Sequence, residues 1–277
     1  MRNTEFDNQA YTRDGFCIVR ALFDPTELRP LVDYLAEGSV EEDKFGIPDN
    51  QGGRAELLVW TSCADDFIGS VPRLRRMVAL AAAAIGEPVY HWHSKITFKT
   101  PGKPGSWEWH QDFGHWYIEG CLWPRMTSIG VALDGMGPDN GPLKLIKASH
   151  HIGRIDHVPL GPSNGADPVL VERALEELET VEVHLEPGDA VVFHCNVLHA
   201  SGPNQSQRPR SLFMSSYNAV SNPPSAPKVP GHEYAPLNEL ADDVLPSSLP
   251  ITGLSGVRRP DGDSVYGYRL TETETSA

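Results

Sequence analysis

Beyond position 88 the chain breaks into short strand-like runs, Val89–Phe98, Met126–Leu133, Leu143–Ile146, Val181–Leu185, Ala190–His194 and Ser211–Ala219, punctuated by Gly, Pro and Asn. A single strand cannot satisfy its own backbone groups, so a run of this kind demands a multi-stranded sandwich or barrel. Helical spacing precedes it: Pro25-Thr26-Glu27 leads into Leu28, Leu31, Val32 and Leu35, and Val71 to Ile85 is rich in alanine. One helix, Pro168–Leu178, interrupts the strands, and a Gly-rich stretch from Gly46 to Arg54 reads as a loop and candidate lid. Helices followed by strands predict a mainly β fold with flanking helices, a double-stranded β-helix of the jelly-roll, cupin-like barrel kind.

The 277 residues, 40% of them hydrophobic, suffice for one full core. The expectation is a single domain over 1–277: a helical N-terminal part with the lid loop (1–88), a jelly-roll core (89–220) and a Pro-rich C-terminal extension (221–277) whose last residues, Thr271 to Ala277, read as disordered. A net charge of -14 argues against nucleic acid or an anionic membrane, both of which need a basic face. Small-molecule chemistry by a monomer or homodimer remains. Cys17, Cys63, Cys121 and Cys195 show no paired spacing, and no leader or long apolar run precedes the fold, which places the chain in a reducing cytoplasm.

Chemistry concentrates at Trp109-His110-Gln111-Asp112. A histidine and an aspartate two residues apart on an extended strand project to one face. His199, just past the run Ala190–His194, completes a set of two histidines and one carboxylate. Such a facial triad leaves the opposite positions of an iron open. With 11 histidines and 37 acidic residues, His-x-Asp alone is weak. Arg210, where an apolar strand resumes, adds a bidentate carboxylate clamp for a dicarboxylic co-substrate, and Ser201 offers it a hydroxyl.

From about Tyr11 to Val220 the chain resembles the phytanoyl-CoA dioxygenase-like Fe(II)/2-oxoglutarate-dependent oxygenases, which include the ectoine hydroxylases. The resemblance rests on the opening Tyr11-Thr12-Arg13-Asp14-Gly15-Phe16, the strand Ser94–Lys99, the core His110-Gln111-Asp112-Phe113, the turn Asn140-Gly141-Pro142-Leu143, Ala148-Ser149-His150, the Pro187-Gly188-Asp189 turn, and the spaced His199, Ser201 and Arg210. It implies Fe(II) held by His110, Asp112 and His199, 2-oxoglutarate anchored by Arg210 and Ser201, O2 as oxidant, and succinate and carbon dioxide as by-products. Trp116 and Arg125 match the ectoine hydroxylases and are expected, with Phe113, in the substrate pocket. His93 and Thr97 stand where those enzymes carry glutamine and asparagine, so the reaction class transfers more safely than ectoine as substrate.

Other residues compete for these roles. His91 and His93 alternate on one strand but lack a third ligand, so one of them is expected to line the pocket. His194 is the alternate ligand to His199, while His150 reads as a turn fixture and His151 as a surface residue. Arg208 rivals Arg210 and would face the same way on one strand. Lys95 and Thr97 share a face and are expected at the far end of 2-oxoglutarate; Lys99 reads equally as a solvated charge. Trp107, Trp109, Trp116 and Trp123 crowd the motif and supply a pocket wall or plain core. Cys195 reads as an apolar residue. A non-catalytic cupin-like metal-binding protein or a zinc hydrolase could use the triad, but neither needs Arg210.

Overall fold

The computed structural model describes residues 6–38, 40–225, 232–245 and 251, with the backbone of 264–265 and 268–269. The expected disorder of Thr271 to Ala277 lies outside the described residues. Ten elements precede position 119: α1 (Asn8–Asp14), β1 (Phe16–Val19), α2 (Pro25–Ala36), β2 (Phe45–Pro48), β3 (Arg54–Trp60), α3 (Phe67–Ser70), α4 (Arg75–Ile85), β4 (Val89–Lys99), β5 (Trp107–His110) and α5 (Asp112–Ile118). There follow β6 (Met126–Ala132), β7 (Leu143–Ile146), β8 (His157–Leu160), β9 (Ser163–Ala166), α6 (Pro168–Glu177), β10 (Thr180–Val183), β11 (Ala190–His194), β12 (His199–Ser201) and β13 (Arg210–Ala219).

Two antiparallel sheets carry the fold, a seven-stranded one ordered β1-β11-β6-β13-β4-β3-β2 and a four-stranded one ordered β10-β7-β12-β5. They face one another as a jelly roll but do not close into a continuous barrel. The larger sheet is covered on both sides, which is why β6 and β13 are buried along their whole length. Its outer face packs Ile96, Ile129, Val192 and Phe213 against Met77 and Leu80 of α4 and Leu28 and Leu31 of α2. Its inner face sets Val191, Leu212 and Met214 against Leu143, Leu145 and Val183 of the smaller sheet. Strand alternation therefore sends Leu212 and Met214 inward and Phe213 outward, and Arg210 shares the inward parity.

Local chemistry fixes the ends of these elements. Asp24 and Glu27 form a reciprocal capping box with Pro25 in the first turn of α2, as the composition there predicts. In the Pro187-Gly188-Asp189 turn, Gly188 has φ +86°, and a Cβ there would lie 2.2 Å from the Phe23 carbonyl oxygen, so only glycine fits. Asp189 accepts hydrogen bonds from the Ala21 and Glu186 backbone N–H groups and from Arg20, tying β1 to β11.

The Gly46–Arg54 stretch is not an irregular loop throughout. It forms the β2–β3 hairpin at the edge of the large sheet, with Asp49 accepting from the N–H groups of Gln51, Gly53 and Ser106. Strands β1 and β3 and the β8–β9 hairpin lack a strong alternating pattern and were not anticipated. Among the described residues no helix is long and apolar enough to cross a membrane.

Candidate metal centre

Cross-strand register builds the centre. His199 on β12 lies directly opposite His110 on β5, with their ring centroids 4.0 Å apart. Asp112 is not on that strand: it is the first residue of α5, after Gln111 as N-cap. The chain turns into a helix between the two ligands, and the carboxylate still reaches the same point, with Asp112 Oδ1 3.8 Å from His199 Nε2. One ligand atom from each of His110, Asp112 and His199 falls within 4.8 Å of the others, and all three residues are buried.

The surroundings select the ligand atoms. His110 Nδ1 lies 2.7 Å from the Glu108 carbonyl oxygen and His199 Nδ1 2.9 Å from that of Val197. A carbonyl only accepts, so both Nδ1 atoms carry the proton and both Nε2 lone pairs are left for a metal. Burial pushes both imidazoles below their usual range, His110 well below it, with His199 adding to the effect there, so the neutral ligand form prevails. Burial alone would raise the Asp112 carboxyl, but the Lys95 ammonium and the Ser128 hydroxyl hold it below the normal carboxylate range. Ser128 donates to Asp112 Oδ2 at 2.7 Å, leaving Oδ1 for the metal. Two neutral nitrogens and one anionic oxygen fit a divalent iron.

Gln111, absent from the sequence-derived site, is the hub of the motif. Its side-chain amide donates to the carbonyls of Gly153 and Asn196, its Oε1 accepts from Ile155 N–H, and its backbone N–H donates to His157 Nε2. These bonds clamp the His110–Asp112 turn against the loop before β12, so both ligand segments move as one. No periodicity marks such a role; only the tertiary partners do.

A partly open pocket runs from the two histidines of the centre to Arg210, lined by His110, His199, Lys95, Thr97, Trp107, Ser201 and Arg210, among others. Arg210 donates to Thr97 Oγ1 at 3.1 Å and to the Gly141 carbonyl at 2.8 Å, while its buried Nε has no hydrogen-bond partner among the described residues. Burial pushes this guanidinium down to about 10, partly offset by Asp134. A buried cation with an unused donor suits a carboxylate that arrives with a ligand. Metal-ligating residues at one end of the pocket and a guanidinium with two hydroxyls at the other are chemistry that suits a dicarboxylate.

Several expected residues sit elsewhere. Lys95 is at the metal end, its Nζ 3.7 Å from Asp112 Oδ1, because two residues on a strand separate it from Thr97 by about 6.6 Å. Arg208 precedes β13 and pairs on the surface with Asp139 at 2.6 Å. Lys99 is no solvated charge: it is buried, donates to the Gly105 carbonyl at 2.6 Å, and is pushed down to about 6 by burial and by Arg210. Arg125 is half exposed and engages Glu87 and Ser221. Nothing brings it to the triad. Phe113 and Trp116 pack with Tyr90, Trp92, Cys121, Met126 and Cys195 in a small buried cluster. Trp116 does meet His93, with ring centroids 5.6 Å apart.

A register shift between Ser216 and Tyr217 leaves Trp92 of β4 as an extra residue between His91 and His93. The bulge breaks the alternation and turns Trp92 and His93 to one side, both facing Trp116, while His91 contacts Ser94 and Tyr217 instead. His194 accepts from the Asn196 N–H and packs against Tyr11 and His150, which removes it as a rival ligand. His150 reaches the Thr12 carbonyl at 3.1 Å, a turn fixture as expected.

Known proteins resemble this chain in sequence and in fold. The chain is 29% identical over 238 residues to L-proline trans-4-hydroxylase of Streptomyces griseoviridis, covering 79% of this chain and 88% of the relative. It is 27% identical over 230 residues to ectoine dioxygenase of Sphingopyxis alaskensis, covering 77% and 75%. The fold superposes on EctD from S. alaskensis crystallised with 2-oxoglutarate and 5-hydroxyectoine, at a TM-score of 0.70 and 23% identity over 87% of this chain and 91% of that one. It also superposes on the epimerase SnoN in complex with Fe3+, alpha ketoglutarate and nogalamycin RO, at a TM-score of 0.68 and 18% identity over 84% and 92%. Residues 11–212 match the family described as phytanoyl-CoA dioxygenase, and with the triad, the cavity and the jelly roll in agreement, the chain belongs to that family.

Proposed function

We propose that the protein is an Fe(II)/2-oxoglutarate-dependent dioxygenase that hydroxylates an unactivated C–H bond of a small polar metabolite or natural-product intermediate. The observation that carries this reading is the buried two-histidine, one-carboxylate triad beside a pocket that runs from His110 and His199 to the under-bonded Arg210. Bound iron, 2-oxoglutarate and O2 supply the oxidising power, with release of succinate and carbon dioxide. The chain's own part is positional. His110, Asp112 and His199 hold the metal; Arg210, Thr97 and Ser201 orient the co-substrate; Lys95 and Ser128 keep Asp112 ionised; Trp107 and the buried strands exclude water.

Relatives named for hydroxylating L-proline and for ectoine support a small-molecule substrate. The four free cysteines favour the cytoplasm, and a monomer or homodimer goes with this reading. Aerobic 2-oxoglutarate consumption with added Fe(II), matched by succinate and absent with zinc, tests the proposal. A cupin-like metal-binding protein or a zinc hydrolase would give no succinate under any metal.

A further inference from the structure

Resting on the oxygenase reading, we propose that Glu119 and His232, beside His93, form the recognition end of the substrate site and take a protonated amine or amidinium of a small molecule. Asp112, Trp116 and Glu119 stand at i, i+4 and i+7, on one buried face running along α5 into its C-cap. That places Glu119 about 10 Å along the helix from the metal ligand. His232 comes from the segment after position 231 and stacks on Trp92, with ring centroids 3.9 Å apart. His93 lies between this pair and the centre, 5.8 Å from His232 and 5.6 Å from Trp116.

The pair is underemployed. His232 Nδ1 approaches Glu119 Oε2 to 3.1 Å, yet neither carboxylate oxygen and neither imidazole nitrogen makes a hydrogen bond among the described residues. Both side chains are almost fully buried, at 2% and 3% exposure. A buried carboxylate without donors carries a large desolvation cost that an incoming N–H group removes. Trp92 stacks on His232 and meets Trp116 edge-on, so aromatic surface adjoins the pair, and a carboxylate in aromatic surroundings is chemistry that recognises an organic cation. A chain of net charge -14 also draws cations rather than repelling them. The recognised nitrogen and the oxidised carbon would then lie at opposite ends of one small molecule.

The test is direct binding by titration calorimetry under anaerobic conditions, with and without Fe(II) and 2-oxoglutarate. The probes are small primary and secondary amines and amidines, including L-proline and ectoine, each amine beside its N-acetyl counterpart. At least one amine or amidine should bind, and the amine form should bind at least tenfold more tightly than its acylated partner. Glu119→Gln should lower that ratio at least tenfold, and His232→Phe, which keeps an aromatic ring on Trp92, should lower it as well. A purely structural pair would weaken both forms alike and leave the ratio unchanged. Binding of no amine or amidine, equal affinity for amine and acyl forms, or an unchanged ratio in the variants overturns the proposal. Iron-dependent succinate formation without added substrate is measured in parallel. Its absence would refute the oxygenase reading while the binding ratios still decide the subsite.

Discussion

At the Arg210 end of the cavity, the polar side chains that line it come from strands whose register is set by their neighbours: Thr97 on β4, Ser201 on β12 and Arg210 on β13. At the Glu119 end, the groups come from the end of a helix, a bulge in β4 and a segment beyond position 231. A ladder of backbone hydrogen bonds positions the first set almost independently of side-chain identity. The second depends on how a helix and a distant segment happen to pack. On the proposed assignments, co-substrate binding is held by the sheet, while substrate recognition rests on parts that can change without disturbing it.

The sharpest way to break this comparison is Asp112→Ala. It is expected to abolish stoichiometric Fe(II) binding and succinate formation together, as read by metal analysis and product assay; unchanged metal content would remove the centre from both ends. Trp116→Ala is expected to cost about 3–5 kcal/mol of stability, the usual penalty for truncating a buried indole. Unaltered melting with more succinate formed per substrate oxidised would instead make Trp116 a wall of the substrate space.

Arg210→Ala removes a charged partner worth about 1.5–3 kcal/mol, so the 2-oxoglutarate requirement should rise roughly ten- to a hundred-fold while Fe(II) binding holds. Arg208→Ala should change it little, since its exposed pair with Asp139 contributes about 1 kcal/mol or less. A reversed outcome would shift the clamp by two residues and break the strand-register argument.

The smallest effect concerns Lys99. Its folded value of about 6 lies below the ordinary lysine value, so between that value and the unfolded one the folded state binds fewer protons. Stability therefore rises as pH rises from about 6 toward 10. Lys99→Met should flatten that rise in melting temperature between pH 6 and pH 9; an unchanged slope would return Lys99 to the solvated role its sequence suggests.

Much of the co-substrate end was legible in the sequence because residue type and spacing carry the chemistry there. His110, Asp112, His199, Ser201 and Arg210 stand out as ligands and clamp, and strand parity alone turns Arg210 inward with Leu212 and Met214. The geometry between ligands was less legible. Asp112 was expected on the strand of His110, but it opens a helix, because the Phe113 N–H bonds to the Cys195 carbonyl and Gln111 is clamped by two loops. Lys99 looks solvated in the sequence, since nothing nearby announces that the Gly105 carbonyl will cover it.

The sequence by itself determined the class of fold and, through its family resemblance, singled out the residues proposed to hold metal and co-substrate, because both follow from patterning and from side chains with few chemical alternatives. Only the tertiary structure decided which atoms of those ligands face the metal, that Gln111 holds them, and that Trp92, Glu119 and His232 meet beside His93. Those outcomes depend on hydrogen bonds and packing between segments up to about a hundred residues or more apart. A bulge of one residue is enough to turn a strand's side chains from one face to the other.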